Sequence, residues 1–307
     1  MTRYLLLGAN GFLGHQVRQV IRGTEQAAYV VAVSGHAPSP PESPGCHWQR
    51  MDLVRASVAE LALLLDYGKP DVVINCIGRT AGSVDELEAV NVSVVRKLLE
   101  ALTRVDPVRL VHLGSAAEYG CQPRGVPVAE SATARPVGDY GRTKRGATDL
   151  VMDRVARGDL AATVLRVFEP VGPGAPGHSL VGTAVREIRH ALDVGASFVT
   201  LGQLSSCRDF LAGTDVAGAV LRAARGTDVP PLLNVGRGVA MSCRSMVELL
   251  AAAAGFEGDI FESHGGAGHA TPAVWQQADL MLTRRHLQWV PTTSIAEAVS
   301  DLWQSGS

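Results

Sequence analysis

The sequence predicts a doubly wound parallel α/β sheet, on three observations. Apolar runs of strand length recur, helix-like segments separate them, and a glycine-rich turn joins the first run to the first helix. Hydrophobicity that is continuous rather than alternating marks strands covered on both faces, as in a parallel sheet flanked by helices. The runs are RYLLLG (3–8), YVVAVS (29–34), DVVINC (71–76), RLVHLG (109–114) and ATVLRVF (162–168). Helices are expected at 11–22, 55–66, 84–104 and 140–157. A βαβ series of this kind places its ligand crevice outside the carboxyl ends of the strands.

The first junction reads LLLGANGFLGHQV, with Gly8, Gly11 and Gly14 spaced by Ala9 and Asn10 and by Phe12 and Leu13. Glycine allows the tight turn and the close approach of backbone to a pyrophosphate, which then sits at the positive end of the helix. A dinucleotide is the expected occupant. In such folds an acid at the end of the second strand takes the ribose hydroxyls of NAD. Here Ser34 stands in its place. Without that carboxylate a 2′-phosphate is not repelled, so NADP is the expected cofactor and NAD the alternative. No arginine adjoins Ser34 in the sequence, and His36 is the only cation candidate near it. The Pro-rich APSPPESPG (37–45) reads as an exposed connector.

After Phe168 the composition changes: EPVGPGAPGHS is a Gly/Pro loop, followed by a helical stretch (180–194), a short strand FVTLG and SSCRDF. Residues 1–168, with about 209–236 returning to the sheet, are therefore expected to form the dinucleotide-binding domain. Residues 169–208 and 237–307 are expected to form a smaller C-terminal substrate-binding lobe. The AAAAG run at 251–255 reads as a helix closed by a C-cap glycine.

Composition excludes several classes. Lysine plus arginine number 28 against 30 acids, so no field exists to hold nucleic acid. Five cysteines without a CxxC read as free thiols of a reducing compartment, which makes the cytoplasm the expected location. No 18-residue apolar run predicts a membrane span, and the first run is too short for a signal peptide. His264 and His269 flank GGAG without helical spacing, so no metal is expected.

In DYGRTKRG (139–146), Tyr140 and Lys144 share one helix face. An ammonium beside a phenol is expected to lower its pKa and make it a usable proton donor or acceptor. Ser115, at the end of the RLVHLG strand, could hold the same substrate oxygen by a hydrogen bond.

These features occur in a fixed order with MDL (51–53), NCIG (75–78), VNVSVVRKLLEA around Asn91, GSAAEYG (114–120), YGRTK (140–144), GPG (172–174), RDF (208–210) and NVG (234–236). Together with the GxxGxxG spacing they resemble the extended short-chain dehydrogenase/reductases, the NAD-dependent epimerase/dehydratase family of Rossmann enzymes. The resemblance implies catalytic Ser115, Tyr140 and Lys144, with Lys144 also holding the nicotinamide ribose. It places Asp52 at the adenine and adds Leu53, Cys76, Ile77, Gly78 and Asn91 to the cofactor set. It also implies a homodimer, for which helices 84–104 and 140–157 would form the face.

GSAAEYG, FEPVGPGAPGHSLVGTAVREI and TLGQLSSCRDF resemble one branch in particular, the GDP-4-keto-6-deoxymannose reductases. By that resemblance Arg208 binds the nucleotide diphosphate. Two positions depart from it: Glu169 stands where asparagine is usual, and His269 where a second arginine is usual. Sugar dehydratases carry an Asp-Glu pair after the catalytic hydroxyl; Ala116 and Ala117 stand here, so dehydration is disfavoured, and Glu118 is either an alternative acid or a supporting carboxylate. Arg79 and Thr80 are candidates for substrate contact, as is Ala116. The expected function is an NADP-dependent ketoreductase of a 4-keto nucleotide sugar. An NAD-dependent nucleotide-sugar epimerase is the alternative. A non-catalytic dinucleotide sensor would be expected to lose Tyr140 and Lys144.

Overall fold

Seven strands join in one parallel sheet, as their unbroken apolar runs require. The computed structural model describes residues 1–25, 27–35, 46–263 and 274–306. The first part of the chain runs β1 (Arg3–Leu7), α1 (Phe12–Thr24), β2 (Tyr29–Ser34), β3 (Cys46–Arg50), α2 (Val58–Gly68), β4 (Val72–Asn75), α3 (Val84–Glu88), α4 (Val94–Leu102), β5 (Arg109–Ser115), α5 (Asp139–Ala156) and β6 (Ala162–Val167). Then follow β7 (Glu169–Val171), α6 (Leu180–Val194), β8 (Phe198–Leu201), β9 (Cys207–Arg208), β10 (Phe210–Ala212), α7 (Gly213–Arg225) and β11 (Leu232–Val235). The chain closes with β12 (Met241–Ser242), α8 (Cys243–Ala254), β13 (Asp259–Glu262), α9 (Met281–Leu287) and α10 (Ile295–Gln304).

The strand order β11-β6-β5-β4-β1-β2-β3 reverses direction of growth between β1 and β4, which is where a crevice opens at the carboxyl ends. Alternate residues divide between two cores, as the period of a strand dictates. Leu5, Leu7, Val31, Val33 and Val73 face Leu61, Leu65, Leu98 and Val151 of α2, α4 and α5. Tyr4, Leu6, Val30, Ala32 and Ile74 face Val17 and Ile21 of α1 and Val216 and Val220 of α7. A third cluster gathers Val185, Ile188, Phe210, Met246, Leu250, Val299 and Leu302 from α6, β10, α8 and α10. Phe12 packs against that cluster and so ties the first turn of α1 to it.

Two features differ from the sequence reading. β3 was not expected, because CHWQR alternates instead of forming an apolar run: Cys46 is buried while His47 and Gln49 face solvent, as suits the edge strand of the sheet. The helix expected over 84–104 is interrupted by a π turn at Ala89–Ser93, which carries the buried Asn91. Such single-turn bulges need a local reason. Here the Asn91 side chain is bonded to a loop of the crevice, described next.

Candidate active site

The glycine turn is built on close backbone approach. Gly8 has a φ of 76°, a region open to glycine, and its N–H and that of Ala9 both donate to the Val33 carbonyl at 3.1 Å. A Cβ on Gly14 would lie 2.1 Å from the Gly8 carbonyl oxygen, and one on Gly8 would lie 3.1 Å from the Cys76 carbonyl carbon. Gly11 is the N-cap of α1 and offers no side-chain cap, so the first N–H groups of the helix are left for an anion. Asn10 is exposed in the turn, and Leu13 packs against the core on the α1 and α7 side of the sheet. This cradle fits a dinucleotide pyrophosphate. Gly14→Ala is expected to cost about 1–3 kcal/mol and to abolish cofactor binding, read as a lower Tm and the loss of the thermal shift with NADP.

β4 delivers the loop of Cys76, Ile77 and Gly78. Asn75 bridges it to β5, its Nδ2 meeting Nδ1 of the buried His112 at 3.1 Å while its Oδ1 accepts from the Ile77 N–H at 3.1 Å. Asn91 Oδ1 accepts from the Arg79 N–H at 2.8 Å, and Asn91 Nδ2 donates to the Arg79 carbonyl and to Thr143 Oγ1, both at 2.9 Å. The π turn thus clamps this loop to α5. Burial pushes the Cys76 thiol up to about 12, against the opposing pull of the Lys144 charge.

Ser115 ends β5 and opens a short 3₁₀ turn, Ala116–Glu118. Its Oγ accepts from the Ala117 N–H at 3.2 Å. Glu118 is fully buried and closes the turn: Oε1 accepts from the Ser115 N–H at 2.8 Å and from Thr148 Oγ1 at 3.0 Å, and Oε2 accepts from Arg166 Nε at 2.8 Å. All of these bonds hold the turn that carries Ser115. Arg166 in turn lies over the Tyr119 ring at 4.4 Å. The signal for this network was in the sequence, an arginine inside the apolar run ATVLRVF, but not its partner.

Tyr140 and Lys144 lie on the first turns of α5. Lys144 is buried; Nζ donates to the Leu113 carbonyl and lies against Gly78, where an added Cβ would be 3.9 Å away. Burial lowers the Lys144 pKa, against the opposing pull of Glu118 and Cys76. The half-buried Tyr140 departs from the expected acidification. Desolvation pushes its phenol up to about 12, a hydrogen bond with the Ser115 side chain pulls it down, and the charges of Glu118 and Glu169 push it further up. The ammonium four residues on does not offset this, because it is turned onto the Leu113 carbonyl. Burial pushes Tyr4 and Tyr119 up to about 12 as well, so ultraviolet titration of the cofactor-free protein is expected to show a phenolate step near 12 that Tyr140→Phe diminishes by one tyrosine's absorbance.

On the other bank of the crevice, Glu169 at the start of β7 and Arg208 at the end of β9 form an ion pair, Nη1 to Oε2, at 2.7 Å. Arg208, expected as a diphosphate ligand, thus has one edge engaged by the acid that replaces asparagine, while its Nε is buried without a partner among the described residues. The Glu169 charge raises the Arg208 pKa. Arg79 Nη2 meets Glu86 Oε1 of α3 at 2.9 Å, and its Nε donates to the Ala81 carbonyl in the loop before that helix. Thr80 Oγ1 instead meets His178 Nε2 across the crevice, a contact the sequence did not suggest. Ala116 is buried, its carbonyl receiving Gln276 Nε2 at 3.3 Å. Asp52 Oδ1 accepts from the N–H groups of Val54 and Arg55 at 3.0 and 3.3 Å, which fixes the carboxylate on its own turn. Leu53 is buried and its carbonyl receives Lys97 Nζ at 3.2 Å. His36, His264, His269 and residues 37–45 lie outside the described residues. Among the described residues there is no group of His, Cys, Asp and Glu placed to hold a metal, and no helix long and apolar enough to cross a membrane.

The profile of the NAD dependent epimerase/dehydratase family matches residues 4–236. The chain is 38% identical, over all of its length and 96% of the relative's, to dTDP-6-deoxy-L-talose 4-dehydrogenase (NAD(P)(+)) of Kitasatospora kifunensis. It is 27% identical to UDP-glucose 4-epimerase of Streptomyces lividans, over 98% of this chain and 95% of that one. Among solved structures it resembles MoeE5 in complex with UDP-glucuronic acid and NAD, with a TM-score of 0.84 and 25% identity over 99% of this chain and 98% of that chain.

Proposed function

The chain belongs to the NAD dependent epimerase/dehydratase family, an NAD(P)-dependent enzyme of the extended short-chain dehydrogenase/reductase type, and on that premise we propose that it is an NADP-dependent ketoreductase of a 4-keto nucleotide sugar. The observation that carries this reading is the convergence of Ser115, Tyr140 and Lys144 beside the Gly78 loop, with alanines at the two positions that dehydration would need as acids. The full-length relative named as a sugar 4-dehydrogenase supports the same chemistry, since proton and hydride transfer at C4 run in either direction on one set of groups. Its nucleotide supports a dTDP sugar over the GDP sugar that the short stretches suggested.

In this reading the glycine turn and the N-terminus of α1 hold the pyrophosphate, and Lys144 reaches the nicotinamide ribose. The bound dinucleotide supplies the hydride. Ser115 Oγ donates to the carbonyl oxygen of the substrate, and Tyr140 delivers its phenolic proton there as negative charge develops. Glu118 and Arg166 touch no substrate; they hold the turn that aims Ser115. The part of the chain around the α6, α8 and α10 cluster would receive the nucleotide, with Arg208 at the diphosphate.

The Glu169 pair bears directly on that last role. Glu169→Gln is expected to tighten binding of dTDP by roughly 3–10-fold, because a guanidinium edge is released and a carboxylate facing the phosphates is removed. Calorimetry with the NADP-bound enzyme reads this, and an unchanged affinity would remove Arg208 from the diphosphate.

The function is tested with purified protein, NADPH and a dTDP-4-keto-6-deoxyhexose. The expected result is equimolar loss of NADPH and appearance of a C4 carbinol by NMR. Interconversion of two nucleotide-sugar epimers without net NADPH loss would replace reductase by epimerase. NADP binding with no turnover of any 4-keto sugar would return the sensor reading.

A further inference from the structure

We propose that Arg50, at the end of β3, is the residue that grips the 2′-phosphate of NADP; the assignment rests on the NADP reading above. The sequence offered no arginine near Ser34, since sixteen positions separate the two, 34 to 50. The sheet removes that separation. β2 and β3 are parallel neighbours, and their register pairs Ser34 with Arg50 directly. Adjacent strands lie about 4.8 Å apart, well inside the reach of an arginine side chain.

The face follows from the period of the strands. Val30 and Ala32 of β2, and Cys46 and Trp48 of β3, all belong to the core on the α1 side of the sheet. Two residues further on, Ser34 and Arg50 fall on that same side. This is the side of the glycine turn, whose Gly8 and Ala9 N–H groups already donate to the Val33 carbonyl next to Ser34. An adenosine ribose held where the fold holds it would therefore meet Ser34, small and uncharged, with a guanidinium beside it.

Arg50 is exposed, and among the described residues no carboxylate pairs with it. The nearest acid along the chain, Asp52, is engaged by its own turn and by Arg55 at 3.6 Å. Another cation, Arg18 of α1, is held in place: it is buried, stacked on Trp48 at 5.0 Å, and bonded through Nη2 to His15 at 3.0 Å. Arg50 is thus a planar donor fork of the kind that binds phosphate in bidentate fashion.

The test measures binding by calorimetry on the cofactor-free protein, titrating NADP⁺, NAD⁺ and adenosine 2′,5′-bisphosphate into wild type, Arg50→Ala and Arg50→Lys. Wild type is expected to favour NADP⁺. Arg50→Ala is expected to lose NADP⁺ and bisphosphate affinity by roughly 10–100-fold, the size of a charged hydrogen-bonding contact, with NAD⁺ affinity within about twofold and Tm unchanged. Arg50→Lys should fall between them, keeping the charge but losing the fork. If wild type prefers NADP⁺ and Arg50→Ala retains that preference, the Arg50 assignment is wrong and the NADP reading stands. If wild type binds NAD⁺ as tightly as NADP⁺, both fall.

Discussion

Tyr140→Phe is expected to lower kcat by roughly 10²–10⁴-fold, the range typical of a lost general acid, while NADP affinity and Tm stay near wild type. The ring remains to fill its place, and only the oxygen that faces Ser115 is removed. Rapid-quench measurement of a single turnover, with cofactor affinity determined separately, distinguishes this from a binding defect. An undiminished chemical step would end the proposed mechanism. The pH dependence follows from the same group. For reduction the phenol must carry its proton, so the rate declines as pH rises through the Tyr140 pKa. For oxidation the phenolate must accept one, so the rate climbs toward that pKa. Desolvation places the step near 12 in the cofactor-free protein. Glu169→Gln removes a charge that pushes the phenol up and is expected to move both limbs to lower pH, a displacement that a purely structural role for Glu169 would not produce.

Glu118→Ala is expected to give the largest loss of stability of any single substitution near the crevice. Glu118 is fully buried and its partner Arg166 only 6% exposed, so deleting the carboxylate strands a guanidinium in the core. Breaking such a pair typically costs about 3–5 kcal/mol, which for a chain of this size is a Tm drop on the order of 10 °C. The same change frees the Ser115 N–H and slackens the turn that aims its hydroxyl, so kcat should fall even at temperatures where the protein remains folded. Glu118→Ala combined with Arg166→Met should recover much of the Tm, because no charge is left unpaired, yet little of the kcat. Equal recovery of both would deny Glu118 its positioning role.

The parallel sheet and the glycine turn were legible from residues close together in the chain. Val30 to Val33 alternate between two apolar cores, and that double coverage is what an unbroken apolar run records. Gly14 can only be glycine beside the Gly8 carbonyl, and that crowding is local. β3 was invisible for the opposite reason: an edge strand buries one residue in two, and CHWQR is too short to display the alternation. The electrostatics were misjudged at Tyr140 because spacing gives the distance along a helix but not the direction of an ammonium, which here turns to the Leu113 carbonyl. The ion pair of Arg208 with Glu169 was hidden for the same kind of reason; its partner lies 39 positions away.

What the sequence determined by itself was the α/β class, the site of the phosphate turn, and the placing of Tyr140 and Lys144 on one helix, since each depends on periodicity or backbone freedom within a few residues. The tertiary structure alone decided which charges meet, Glu118 with Arg166 and Glu169 with Arg208, and which residue of β3 stands beside Ser34, namely Arg50. Those choices are set by strand register and by burial, and electrostatic energy depends on distance and surroundings in space, neither of which separation along a chain encodes.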